Sequence, residues 1–99
     1  MPFEIDWRPG AIEDVRQLFD YLAEHASLQD ARHVTDRLLS STDKLTKFPR
    51  LYQEPPEYGD SVRRISLMGQ NILYEVDDAA KVVRVLAVVG GRQQHRKVR

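Results

Sequence analysis

Residues 62–89 read VRRISLMGQNILYEVDDAAKVVRVLAVV, and branched apolar residues gather there in three runs, Val62–Met68, Ile72–Asp77 and Val82–Val89. Gly69-Gln70 and Asp78-Ala79-Ala80 separate the runs, so the pattern predicts three strands joined by tight turns in an antiparallel meander. Placing Gly69 and Gln70 at the first tip sets Ser66 opposite Leu73 and Arg64 opposite Glu75, and leaves Ile65, Leu67, Ile72 and Tyr74 on the other face. A second turn centred on Ala79-Ala80 sets Glu75 opposite Arg84 and Leu73 opposite Leu86, with Tyr74 and Val85 on the inner face. The outer face is therefore expected to carry Arg64, Glu75 and Arg84 in a row, with Leu73 and Leu86 beside them. An exposed ion row of this kind is worth about 1 kcal/mol or less. The leucines say more, because apolar side chains on a solvent-facing side need a cover.

Upstream of this stretch the period changes. Phe3, Ile5 and Trp7 alternate with Glu4 and Asp6, which predicts an opening strand. Pro9 suits the first turn of a helix, and Ile12, Val15, Leu18/Phe19, Leu22 and Ala26 recur at helical spacing. Ser27 followed by Asp30 reads as an N-cap with an acid at the third position, and Ala31, Val34, Leu38, Leu45 and Phe48 continue an apolar stripe. A second helix thus follows almost without a linker, and the two form an antiparallel hairpin. Pro49 ends it, and Leu51 to Asp60, with Pro55-Pro56 and Gly59, reads as a loop. The expected architecture is α+β: one domain over 1–99, its helical hairpin packed on a four-stranded, mainly antiparallel sheet whose order the sequence leaves open. Phe3, Ile5, Trp7, Ile65, Leu67, Tyr74 and Val85 are expected to meet Val15, Leu18, Leu22, Leu38 and Leu45 in its core.

Composition limits the chemistry. The 99 residues hold 41% hydrophobic and 30% charged side chains and no Cys, which excludes a disulfide scaffold, Cys-liganded zinc and a thiol nucleophile. His25, His33 and His95 lack metal-ligand spacing, so no metal and no cofactor are expected. Neither a membrane span nor a signal peptide is legible, and the reading is cytoplasmic. Net charge is zero, yet residues 1–61 carry seven Lys/Arg against twelve Asp/Glu while residues 62–99 carry eight against three. The basic end includes a tail, 90–99, holding Arg92, His95, Arg96, Lys97 and Arg99, which could meet nucleic acid through charge alone. Glu13/Asp14, Asp20/Glu24 and Asp36 lie at spacings that a solvated helix face explains. Ser40-Ser41-Thr42 lacks a nucleophile-elbow context, and Gly90-Gly91 lacks that of a phosphate loop.

The order of these pieces resembles the RelE/ParE superfamily of toxins from type II toxin-antitoxin modules. Its carriers are Trp7 with the Ala11/Asp14 helix start, Tyr21-Leu22-Ala23-Glu24, Leu45 with Phe48-Pro49, Arg64-Ile65, Ile72-Leu73-Tyr74-Glu75-Val76, and Val83 to Val88 leading into Gly90-Gly91-Arg92. The resemblance implies growth inhibition relieved by a cognate antitoxin, whose C-terminal segment wraps the toxin in a hetero-oligomer. Arg64, Leu73, Glu75, Arg84 and Leu86 are the residues expected to meet it. ParE-like members, which the resemblance implies in connection with plasmid stabilisation, act on DNA gyrase; RelE-like members cut messenger RNA in the ribosome. For the second activity the resemblance implies an Arg opening the middle meander strand and an aromatic residue in the tail, whereas this chain has Asn71 and no aromatic after Tyr74. If it were a nuclease, Arg64, Arg92 and His95 would be its catalytic candidates. Target binding is expected of Arg92, Arg96, Lys97 and Arg99. The gyrase-directed reading is preferred to the nuclease, with a degenerate member that only binds its antitoxin as a third class.

Overall fold

The computed structural model describes residues 2–54 and 61–90. In chain order they form β1 (Glu4–Trp7), α1 (Pro9–His25), α2 (Leu28–Ser40), a single 3-10 turn (Asp43–Thr46), β2 (Arg63–Leu67), β3 (Gln70–Asp77) and β4 (Val82–Gly90). The sheet runs β1-β4-β3-β2, with β1 parallel to β4 and the other pairs antiparallel. The hairpin of helices covers one face.

Local chemistry sets the helix ends. Pro9 opens α1 after an extended Arg8, and α1 stops at Ala26, whose N–H reaches Leu22 O at 2.8 Å. Ser27 Oγ then accepts from Asp30 N at 2.9 Å, the N-cap that the sequence predicts. The apolar stripe does not carry one helix to Phe48, however. Ser40, Ser41 and Thr42 turn their hydroxyls back on the carbonyls of Arg37 (3.3 Å), Leu38 (2.6 Å) and Leu39 (3.1 Å), competing with the backbone for its acceptors. The chain leaves α2 there and tightens into the 3-10 turn, which buries Leu45 and leaves Phe48 exposed.

The meander is present, with two corrections. Met68 (φ 53°) and Gly69 (φ 77°) form the first tip, so Ile65 pairs with Ile72 and Arg64 with Leu73 rather than with Glu75. A two-residue hairpin of this hand needs left-handed backbone at both central positions, and Met68 accepts it beside the glycine. The faces survive because the shift is two residues. The second turn falls as expected: Tyr74 pairs with Val85 and Glu75 with Arg84. Beyond them a β-bulge sets Leu73 opposite Ala87, so Leu86 becomes the extra residue and Leu73 does not face it.

Past the bulge the faces of β4 exchange. Val83, Val85 and Val88 join Ile65, Ile72, Tyr74, Ala11, Val15, Leu38 and Leu45 in the core beneath the helices, with Phe3, Ile5, Trp7, Leu18 and Leu67 half-buried around it. Leu22, expected there, is half-buried and outside this cluster. Ala87 and Val89 instead close with Val62 and Leu73 into a second cluster on the outer face. β1 ends at Trp7, leaving the β1 side of β4 without a strand beyond Val85; Asp14 Oδ2 accepts from Val88 N there at 2.9 Å. That bond ties α1 to the bulged strand across 74 positions of sequence.

Candidate functional site

The outer face divides into a charged half and an apolar half. In the charged half Glu75 lies opposite Arg84 as expected, and Arg84 Nη1 meets Asp77 Oδ2 at 2.9 Å. The Ala80 backbone N–H and then the Arg84 guanidinium hold the Asp77 carboxyl below its ordinary value. Arg64 shares this face but sits one pair along, diagonal to Glu75. Because β1 runs beside β4, Asp6 stands opposite Arg84 and continues the row. The sequence did not reveal Asp6 as a member, since alternation places its face but not its neighbour. Asp6, Arg84, Glu75 and Arg64 thus spread alternating charge over all four strands.

In the apolar half the expectation of two uncovered leucines fails for Leu73. It is fully buried with Val62, Ala87 and Val89, and only Leu86, carried out of register by the bulge, is half-buried at the rim. Leu73 therefore belongs to the monomer's own interior and offers no surface to a partner. Leu86, Arg64, Glu75 and Arg84 remain accessible in part.

The tail residues Arg92, His95, Arg96, Lys97 and Arg99 lie outside the described residues. At the end of β4 where that tail departs, a cleft of about 380 Å³ is lined by Asp14, Gln17, Leu18, Tyr21, Gln70, Val88 and Gly90. The Tyr21 ring stacks on His25 with centroids 4.2 Å apart, at the helix end beside it. Asn71, at the second position of β3, accepts from Ser66 Oγ at 2.9 Å through Oδ1. No three His, Asp or Glu among the described residues are grouped to hold a metal ion, and no described helix is long and apolar enough to cross a membrane.

A second cleft, about 310 Å³, runs along the free side of β2 and is lined by Arg37, Ser40, Ser41, Lys44, Tyr52, Ile65, Ser66 and Leu67. Beside it the chain before β2 folds against the strand: Arg63 Nη1 donates to Tyr52 O at 2.6 Å, Arg63 Nη2 meets Glu54 Oε1 at 3.3 Å, and Arg64 N donates to Gln53 O at 3.2 Å. Tyr74 is fully buried across from Arg63, and its hydroxyl makes no hydrogen bond. Burial pushes its ionisation up to about 12, against the smaller opposing pull of the Tyr52 backbone amide and Arg63. The sequence reading missed this cleft. Its parts come from α2, the 3-10 turn and an edge strand, and only the sheet order brings them together.

Comparison with known proteins places this geometry. The model of the family described as ParE toxin of type II toxin-antitoxin system, parDE, matches residues 5–95. Among curated proteins, no sequence matches significantly. The fold is similar to that of the chromosomal ParDE system from P. aeruginosa, with a TM-score of 0.77 and 14% identity over 89% of this chain and 95% of that one. It is also similar to the intact E. coli RelBE toxin-antitoxin complex (TM-score 0.67, 19% identity, 92% and 99% coverage) and to the RelBE2 complex from Mycobacterium tuberculosis (0.66, 15%, 91% and 99%).

Proposed function

Because the chain belongs to the ParE toxin family of type II toxin-antitoxin systems, we propose that it arrests growth by acting on DNA gyrase in the cytoplasm and that a cognate antitoxin neutralises it by direct binding. The observation that carries this reading is the family match across nearly the whole domain, from β1 into the tail. Asn71 supports it. A ribosome-dependent nuclease gathers cations around the scissile phosphate, and here the opening of β3 presents a neutral amide already engaged by Ser66. Several of the structurally similar proteins are complexes of a toxin with its antitoxin, which supports an antitoxin partner for this chain. Arg64, Glu75, Arg84 and Leu86 are its proposed contacts on the outer face, and Arg92, Arg96, Lys97 and Arg99 contact the target.

Purified protein is expected to inhibit gyrase supercoiling, or to trap gyrase-cleaved DNA, while leaving translation in a reconstituted system intact. Cleavage of messenger RNA on ribosomes, lost in Arg92→Ala or His95→Ala with antitoxin affinity retained, would overturn the gyrase assignment. Silence in both assays, with tight antitoxin binding, would make the chain a member that has lost its toxicity.

A further inference from the structure

We infer that the solvent side of the helical hairpin is a contact surface for a second copy of this chain, which lays its own α2 antiparallel along α2, with Leu28 against the partner's Leu39 and Arg32 beside the partner's Asp36. The hairpin covers the sheet with one side and leaves the other to water, yet that other side is not polar throughout. A groove between the helices is lined by Ile12, Val15, Arg16, Phe19, Thr35 and Leu39. Ile12 and Leu39 are 55% and 44% exposed, and Leu28, further along α2, is 49% exposed. The polar members of the groove are already engaged: Thr35 Oγ1 donates to Ala31 O at 2.8 Å, and Arg16 is held by Glu13 and, at 3.0 Å, by Asp20. The groove therefore offers hydrocarbon, and an apolar strip of this kind marks a contact surface.

The order of residues along α2 identifies the cover. Leu28 and Leu39 stand eleven positions apart on the helix Leu28–Ser40, which brings their side chains to within about 20° of one direction. Reversing α2 about a two-fold axis between His33 and Val34 therefore seats each leucine on the other's copy. Arg32 and Asp36 lie beside that strip, on the flank turned from Thr35 and α1, and both are exposed. The same axis keeps each flank on its own side of the seam, and it brings Arg32 to within one residue's rise, about 1.5 Å along the helix, of the partner's Asp36. Neither side chain forms an ion pair among the described residues. Within one helix a cation four positions before an acid is the less favourable order, whereas between antiparallel copies the pair forms twice. An unrelated helix answers the leucines alone; a second copy answers the leucines and both charges. The seam lies on the helical side of the sheet, so Arg64, Glu75, Arg84 and Leu86 stay uncovered on both copies, and it requires nothing of the gyrase or antitoxin readings.

Sedimentation equilibrium of the purified full chain, from about 1 to about 200 µM at low salt, should show monomer and dimer exchanging with a midpoint in the micromolar range that suits a small interface. Arg32→Glu alone and Asp36→Arg alone each place two like-charged contacts in the seam, and each should weaken dimerisation about tenfold or more. Mixed in equal amounts, the two variants should dimerise with one another, because every cross-contact then sets a cation against an acid. A variant that had merely lost its fold would give no such recovery. Leu28→Glu/Leu39→Glu should leave the chain monomeric over the whole range with its melting midpoint unchanged, since both side chains are exposed. If that midpoint falls, Leu28→Ala/Leu39→Ala takes its place, with a smaller loss in the same direction. Wild-type protein that stays monomeric up to about 200 µM overturns the inference. A dimer that the charge variants leave intact overturns it too, as does a mixture that fails to recover, since either puts the contact elsewhere. Monomeric wild-type protein whose antitoxin affinity is lost in Leu28→Glu/Leu39→Glu assigns the strip to the antitoxin, and overturns it as well.

Discussion

The two margins of the sheet are finished by different physics. Along β1, Phe3 N donates to Thr46 O at 2.8 Å, and the 3-10 turn that supplies this carbonyl is anchored by Leu45, buried with no exposed surface. Along β2, residues 52–54 are held by Arg63 and by the Arg64 amide, and the side chains of Arg63 and Glu54 are 18% and 46% exposed. The first margin is fastened at Phe3 by a part of the core. The second is closed by a polar clamp that ends one pair short of the hairpin.

Breaking the β1 margin should have the largest effect. Leu45→Ala empties a fully buried site where the core meets the 3-10 turn, at a cost of about 3 kcal/mol by the usual range for such truncations. Urea denaturation should show a lower midpoint, and hydrogen exchange at the Phe3 amide should quicken because the turn carrying Thr46 O loses its anchor. A cost under about 1 kcal/mol would mean that the margin is not closed by core at all.

Breaking the clamp should cost less and act locally. Arg63→Ala removes a charge-assisted bond to Tyr52 O and the ion pair with Glu54, about 2 kcal/mol for a side chain so little exposed. The expected signature is faster exchange at the Arg64 amide with Phe3 unaffected. Exchange that quickens equally at both amides would show the two margins to be one cooperative unit.

The sequence made the elements legible wherever period and punctuation act locally. Alternation marked β1, the change of period near 62 marked the meander, and Ser27-Asp30 marked the helix junction to the residue. What it hid depends on geometry between elements. Nothing in Leu86 itself announces a bulge, which is fixed by how Leu73, Ala87 and Val89 pack on the outer face; without it Leu73 would have met Leu86 as expected. The hydroxyls of Ser40, Ser41 and Thr42 were visible, but the stripe through Leu45 outweighed them in the reading, and α2 ended earlier for their sake. Asp6 entered the charged row, and Arg37 came to line one cleft with Ser66, only through the way the elements pack together. Candidate sites in this molecule are made of such junctions, so less of the site than of the fold could be read in advance.

The smallest expected effect sharpens the account of the clamp. Tyr74 lies across from Arg63, and its hydroxyl is buried without a hydrogen bond while Arg63 occupies the Tyr52 carbonyl nearby. Removing a hydroxyl that has no partner forfeits nothing, so Tyr74→Phe should be neutral or slightly stabilising at pH 7. At alkaline pH the sign follows from linkage. The folded protein holds the phenol protonated to about 12 whereas an unfolded tyrosine ionises near 10.0, so the unfolded state releases its proton first. The stability associated with Tyr74 is complete below pH 10 and is lost as the pH climbs from there toward 12. Comparing urea midpoints of wild type and Tyr74→Phe at pH 7 and pH 10.5 cancels the titration of other groups, and the variant should gain on the wild type at the higher pH. A marked loss at pH 7 would instead place the hydroxyl inside the clamp, bonded with Arg63 to the Tyr52 carbonyl, and the β2 margin would then be fastened from the core after all.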